Sequence, residues 1–392
     1  MGSTLDSFDS LNSLDKTETQ KLQETWTRLL RLCGAADTAS SAPSSKLSNS
    51  FAEDTKNIEP GAFRRSLWNF ILSEDPDALV LRFLRARKWD VEKALAMLLS
   101  AVAWRDERRL EETVTRTGES AALRADPTPD EAGFVAQCRS GKSYVRGTDR
   151  EHRSVYVIRV RLHDPNAQSA ESMEDYVLHN IESIRLLIKA PYDKCCLLFD
   201  LTGFGLKNMD FHVVKFLLSV FEARYPETLG VVLIHNAPFV FWGLWNIIKC
   251  LLDPVVASKI NFTRRTRDLL KFIPQENLQT DYGGGDAWDY EYVEPEACDD
   301  ERLEDVETRD EIQKERNELI MEFERETAQW ASMGTDSNSI SEKQSNRKDV
   351  ADQIRQNYWK LDPYIRARTY HQRVGIVDEE GNVDFMAAKF TK

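Results

Sequence analysis

Two stretches of the chain carry residue types that could bind phosphate or a cofactor. Gly141-Lys-Ser143 ends like a phosphate loop, in which backbone N–H groups and a lysine cradle phosphate oxygens. The glycine required upstream is Ala136, however, and no strand clearly precedes the motif. Gly203-Phe-Gly205 lacks the third glycine of a dinucleotide fingerprint. There is no G-x-S-x-G elbow that would expose a nucleophilic serine. His152, His163, His179, His212, His235 and His371 show no zinc-ligand spacing. His235 ends an apolar strand pattern and reads as a pocket or turn residue rather than a base. Cys33, Cys138, Cys195, Cys196, Cys250 and Cys298 form no C-x-x-C pair and read as buried thiols in a reducing compartment. The chain is therefore expected to be no enzyme and to need neither metal nor cofactor.

Charge narrows the partners. The net charge is −13, and the segment from Asp286 to Glu326 alone holds 18 acidic and 5 basic residues, so the rest is close to neutral. Nucleic-acid binding needs a basic stripe, and none is evident, so no nucleic acid is expected. At 392 residues with 41% hydrophobic content the chain can bury a large core in two or three units. No apolar run reaches the roughly 18 to 20 residues of a membrane span. The N-terminal residues have neither a basic n-region nor an apolar h-region, so no signal peptide is expected.

The elements follow from periodicity. A helix is expected over about Lys16 to Cys33, with Leu22, Trp26, Leu29 and Leu30 on one face, followed by a Ser/Ala-rich linker over roughly 34–50. Asp75-Pro76 opens a helix carrying Leu79, Leu81, Phe83 and Leu84, and Asp90 caps the next. From about Lys142 the period changes. Val155 to Val160, Cys196 to Asp200 and Val231 to Ile234 read as strands, separated by helices striped by Met173, Val177, Ile181 and Ile184 and by Val213, Phe216, Leu217 and Val220. Strands alternating with such helices imply crossovers and a mainly parallel sheet. A last amphipathic helix is expected over about Val350 to Tyr370, in an extension that packs back on the protein; a free acidic tail is the alternative.

The segment Phe239 to Leu252 is bracketed by Asn236-Ala-Pro238 and Asp253-Pro254, which are turn and stop signals. Apolar residues surround this short helix on nearly every side, so it is buried or it meets lipid. Its tryptophans, and the proline turn that joins it to a strand, suit a lid over a cavity that opens against a membrane surface.

Phe83-Leu-Arg-Ala-Arg-Lys-Trp-Asp90 resembles the signature of the CRAL-TRIO N-terminal helical domain. Ile234 to Phe239, the apolar helix and Leu252-Asp-Pro-Val-Val-Ala-Ser-Lys-Ile260 resemble the gate of fungal phosphatidylinositol transfer proteins. Ile273-Pro-Gln-Glu-Asn-Leu278 with Tyr282-Gly-Gly resembles that family's closing strand and turn. The resemblance runs over about residues 70–285. It implies an α/β lobe with a mixed, mainly parallel sheet and an apolar lipid cavity, preceded by a small all-α domain and followed by a helical extension. It implies boundaries of 1–59 for an N-terminal helix and linker, 60–130 for the helical domain, 131–285 for the lipid-binding domain and 286–392 for the extension.

By the same resemblance, the headgroup of phosphatidylinositol falls to Arg87, Lys88, Glu227 and Lys259. The lid is Phe239, Phe241, Trp242, Trp245 and Ile248, and Val232, Ile234, Ile260 and Phe262 line the pocket. Val256 stands where the family has a hydroxyl near the gate lysine, and Gly205 and Thr228 stand in its phosphatidylcholine-binding set. A second, apolar cargo such as a sterol or squalene is thus expected in place of phosphatidylcholine. The run Tyr358 to Arg368 resembles the extension of a divergent fungal branch. The implied protein is a cytoplasmic monomer that touches membranes transiently and exchanges phosphatidylinositol between them. The competing reading is a lipid-sensing module that presents lipid to a lipid kinase or docks on a signalling partner through its acidic helix.

Overall fold

The computed structural model describes residues 14–35, 55–56, 58–188, 192–334 and 340–387; most of the expected linker lies outside them. In chain order the principal helices are α1 (Lys16–Leu32), α2 (Pro60–Ile71), α3 (Pro76–Ala86), α4 (Val91–Glu107), α5 (Pro129–Arg139), α6 (Ala170–Arg185), α7 (Phe211–Ala223), α8 (Phe241–Lys249), α9 (Pro254–Ser258), α10 (Val306–Ala331) and α11 (Ile340–Ile365). The strands are β1 (Ser143–Thr148), β2 (Ser154–Arg159), β3 (Cys195–Asp200), β4 (Leu229–His235) and β5 (Ile260–Thr263). The chain divides into two compact units, Met1–Glu111 with Glu304–Ile365, and Glu112–Leu303 with Arg366–Lys392.

The first unit is all helical. Asp15 and Glu18 form a capping box at the start of α1, Asp75 caps α3 ahead of Pro76, and Asp90 accepts from Lys93 N at the start of α4. The acidic helix α10 is a structural member of this unit. Phe323 packs edge-on against Trp26 and Trp68, at 5.6 and 5.7 Å between ring centroids. Glu324 pairs with Arg64 at 2.8 Å. α11 starts ten residues earlier than its apolar periodicity suggests. Its polar first turns are held by Arg347, which is buried, lies 4.1 Å over the Trp330 ring and pairs with Asp77 at 2.7 Å. A buried arginine paired in the core gives no apolar stripe to read.

The second unit is built on one five-stranded sheet in the order β1-β2-β3-β4-β5. β1 runs antiparallel to β2, and the other neighbours are parallel. Both edge strands were missing from the sequence pattern. β1 is mixed in composition, and β5 has only four residues. The closing strand expected at Ile273–Leu278 is not one. Pro274 has no N–H for a ladder, residues 275–277 form a 3-10 turn, and the closing edge is β5. Ile273 and Leu278 instead fill the core behind the sheet.

After Ile365 the chain packs along the second unit. Glu119, buried, accepts from His179 Nε2 at 3.2 Å, Tyr292 Oη at 2.6 Å, Arg373 Nη2 at 2.5 Å and the backbone N of Tyr370 at 3.1 Å. The adjacent His371 is buried, its Nδ1 has no partner among the described residues, and burial pushes its pKa down to about 4. An unfolded histidine takes up a proton near pH 6.5, whereas this one stays neutral until near pH 4. Its contribution is therefore full above pH 6.5 and is lost as the pH falls toward 4, by about 3 kcal/mol in all. Urea midpoints measured from pH 7 to 4 should fall less steeply for His371→Met than for the native chain. Parallel curves would show that the imidazole carries none of the acid sensitivity.

Candidate functional site

Strand alternation explains the site. On β2, β3 and β4, Val155, Val157, Cys196, Leu198, Val231 and Leu233 point to one face and pack with Leu269, Ile273 and Tyr282. The intervening residues Tyr156, Ile158, Leu197, Phe199, Val232 and Ile234 point to the other, where they line a cavity of about 240 Å³. Met173, Tyr176, Val177 and Ile181 of α6, with Val213, Val214, Leu217 and Phe221 of α7, form the opposite wall. Of the α7 residues only Val213 and Val220 are fully buried, although the helix is apolar around most of its surface. Val214, Leu217, Leu218 and Phe221 are only partly buried and line the cavity, which marks a container for a ligand.

The cavity is closed by α8. This helix is nine residues long, shorter than the fourteen-residue segment suggested, because Pro238 and Phe239 form the turn and Leu251 and Leu252 unwind ahead of Asp253-Pro254. Phe241, Trp245 and Ile248 turn inward and line the cavity with Ile260 of β5. Trp242, Ile247 and Leu251 are exposed, and Phe239 is 94% exposed. Phe262 does not line the cavity. It shares the strand face of Ile260 but lies outside the cavity lining, in register with Ile234 and 40% exposed, with Trp242 at 4.9 Å and Trp245 at 5.1 Å between ring centroids. Gly243 is exposed and has no neighbour within 4 Å of an added Cβ, so it lies on the outer side of the helix.

Beside the β4–β5 edge, Lys259 Nζ and Glu227 Oε2 lie 3.3 Å apart, each about one-fifth exposed. Glu227 holds a left-handed backbone, φ 59°, in the turn Tyr225-Pro-Glu-Thr228, which Thr228 Oγ1 closes by donating to the Tyr225 carbonyl at 2.7 Å. Lys259 ends α9, and its carbonyl accepts from Val232 N at 2.9 Å, which fixes the residue to the sheet. Arg87 and Lys88 lie in the first unit, where Arg87 ends α3 and Lys88 and Trp89 take positive φ of 51° and 63°.

Two family models match the chain. The CRAL/TRIO domain covers residues 138–284 and the CRAL/TRIO N-terminal domain covers residues 45–100. A CRAL-TRIO domain-containing protein of Schizosaccharomyces pombe is 35% identical over 93% of this chain and 91% of its own length. The chain belongs to the CRAL/TRIO family. Another relative, the phosphatidylinositol transfer protein CSR1 of Eremothecium gossypii, is 39% identical over 81% of this chain and 72% of that protein. A third, the SEC14 cytosolic factor of Yarrowia lipolytica, is 30% identical over 53% of this chain and 43% of that protein.

Within this CRAL/TRIO chain the lookalike motifs resolve into structure. Gly141-Lys-Ser143 joins α5 to β1, a helix-to-strand connection, whereas a phosphate loop runs from strand to helix. Gly141 is required because it turns at φ 64° with an added Cβ only 2.8 Å from the Tyr290 ring. His235 closes β4 with Nδ1 3.0 Å from Thr263 Oγ1, and burial lowers its pKa. Sequence reasoning missed Lys142, which is buried and lines the cavity. Its only signal was the failed phosphate loop. No helix among the described residues is long and apolar enough to cross a membrane.

Proposed function

We propose that this protein carries phosphatidylinositol, tails inward, in the cavity behind α8 and exchanges it between membranes. The observation that carries the reading is the cavity itself, apolar on the sheet wall and both helical walls, and closed by a short helix with aromatic residues on its inner and outer sides. Each methylene moved from water into such a space contributes about 0.8 kcal/mol, so two acyl chains bind without covalent chemistry. The name of the CSR1 relative supports the cargo. Lys259 supplies charge to the inositol phosphate and Glu227 accepts from inositol hydroxyls. Their partly exposed positions and the strained turn at Glu227 suit a ligand group that arrives last and faces outward. The resemblance assigns Arg87 and Lys88 to that phosphate as well. Val256, apolar and on the cavity wall, favours a second cargo without a large headgroup, such as a sterol or squalene. The carrier works as a cytoplasmic monomer that meets membranes transiently through α8.

Native mass spectrometry of the purified chain, followed by lipid extraction, should find one phosphatidylinositol or one apolar lipid per protein. An empty chain that also fails to load from liposomes would remove the carrier reading and favour a lipid-independent docking module.

A further inference from the structure

Lys142, Arg159, Asp210 and Glu222 are charged residues on the cavity lining, and phosphatidylinositol exchange at α8 has no use for Lys142. Lys142 is 3% exposed, on the wall next to β1, and β1 and β5 are the two edges of the sheet. The Lys142 carbonyl accepts from Arg159 N at 2.7 Å, next to Val160, which packs in one cluster with Phe241 of α8. Its ammonium is held by neutral groups alone. It donates to Gln137 Oε1, lies 3.3 Å from His163 Nδ1 and from Met173 Sδ, and sits 5.0 Å over the Tyr176 ring.

The nearest carboxylate in the network, Asp210, also lines the cavity and attracts the ammonium without contacting it, across His163, whose Nε2 is 3.2 Å from Asp210 Oδ2. Asp210 is also occupied as the N-cap of α7, accepting from Val213 N at 3.1 Å. Among the described residues Lys142 forms no direct ion pair. A buried ammonium without an anion is costly, and an anion delivered beside it recovers a large part of that cost. Ser143 and Tyr156 adjoin it, with Ser143 Oγ 2.6 Å from Tyr176 Oη and accepting from Tyr156 Oη at 2.8 Å, so hydroxyls are at hand for a second oxygen. Burial brings the amine's pKa down to about 8, which leaves it largely protonated at neutral pH.

We infer that Lys142 anchors the carboxylate of a long-chain fatty acid, bound with its tail along the apolar wall, as a second class of ligand for this cavity. The inference rests on the reading of the cavity as a lipid pocket. A fatty acid has one small anionic end and an otherwise apolar body, which matches the buried Lys142 ammonium beside the apolar cavity wall.

The test uses the full chain, delipidated, titrated at neutral pH with oleate, methyl oleate and oleyl alcohol below their aggregation concentrations. Oleate should bind at least ten-fold more tightly than the ester or the alcohol, and Lys142→Met should bring oleate to the level of the ester. In the native chain, the carboxyl carbon of [1-13C]oleate should give a single bound NMR signal that stays ionised below the pH at which free oleate protonates. Equal affinity for acid, ester and alcohol would overturn the inference and leave the cavity reading standing, as would a bound carboxyl that titrates like the free acid. Failure of all three to bind, together with failure to load phosphatidylinositol, would instead sink the cavity reading. If Lys142→Met does not fold, the native ligand comparison and the carbon signal still decide.

Discussion

Lys259→Ala is expected to lower phosphatidylinositol transfer between vesicles by roughly ten- to hundred-fold. A hydrogen bond to a charged group contributes about 1.5–3 kcal/mol, and each 1.4 kcal/mol is a factor of ten. Folding should change little, because Lys259 meets the sheet through its backbone carbonyl, which Ala retains, while its side chain is partly exposed beside Glu227. Glu227→Gln should also reduce transfer, by less, since an amide still accepts from a sugar hydroxyl. Loading of an apolar lipid such as squalene depends on the cavity wall and should persist in both variants. A Lys259→Ala protein that transfers phosphatidylinositol at the native rate would remove Lys259 from the headgroup site. The same assay on Lys88→Ala tests the assignment that rests on resemblance alone.

The second large effect is expected at the membrane. Phe239 is almost wholly exposed and Trp242 is 43% exposed, although both belong to an apolar segment. Fully burying a side chain of this size is worth about 1.5–3 kcal/mol. Replacing both by Ala should therefore weaken sedimentation with phosphatidylcholine/phosphatidylinositol vesicles by roughly a hundred-fold. Trp245 faces inward and lines the cavity, so the double variant should still retain bound lipid on extraction. Unchanged vesicle binding would mean that another surface meets the bilayer. Loss of both bound lipid and vesicle binding would mean that Phe239 and Trp242 hold the cavity shut, through the contact of Trp242 with Phe262.

The central strands were legible because β2, β3 and β4 are apolar on both faces, one set of residues packing into the core and the alternate set facing the cavity. The helix starts were legible because Asp15, Asp75 and Asp90 satisfy backbone N–H groups locally, and local chemistry is written in neighbouring residues. The segment Phe239 to Leu252 announced itself by being apolar on all sides, which a packed surface helix has no reason to be.

Other features depend on residues far apart in the chain. The edge strands β1 and β5 exist because β2 and β4 offer them hydrogen bonds, and nothing in their short, mixed sequences compels extension. The early start of α11 depends on Arg347 finding Asp77 and Trp330. Which face of α8 is inward and which outward, and the placement of Phe262 beneath Trp242 and Trp245, were settled by packing against the sheet edge. Lys142 shows the limit most sharply. In the chain it is one more lysine after a glycine, and its buried position with neutral partners arises only when α5, α6 and β1 meet, because desolvation is a property of the assembled interior.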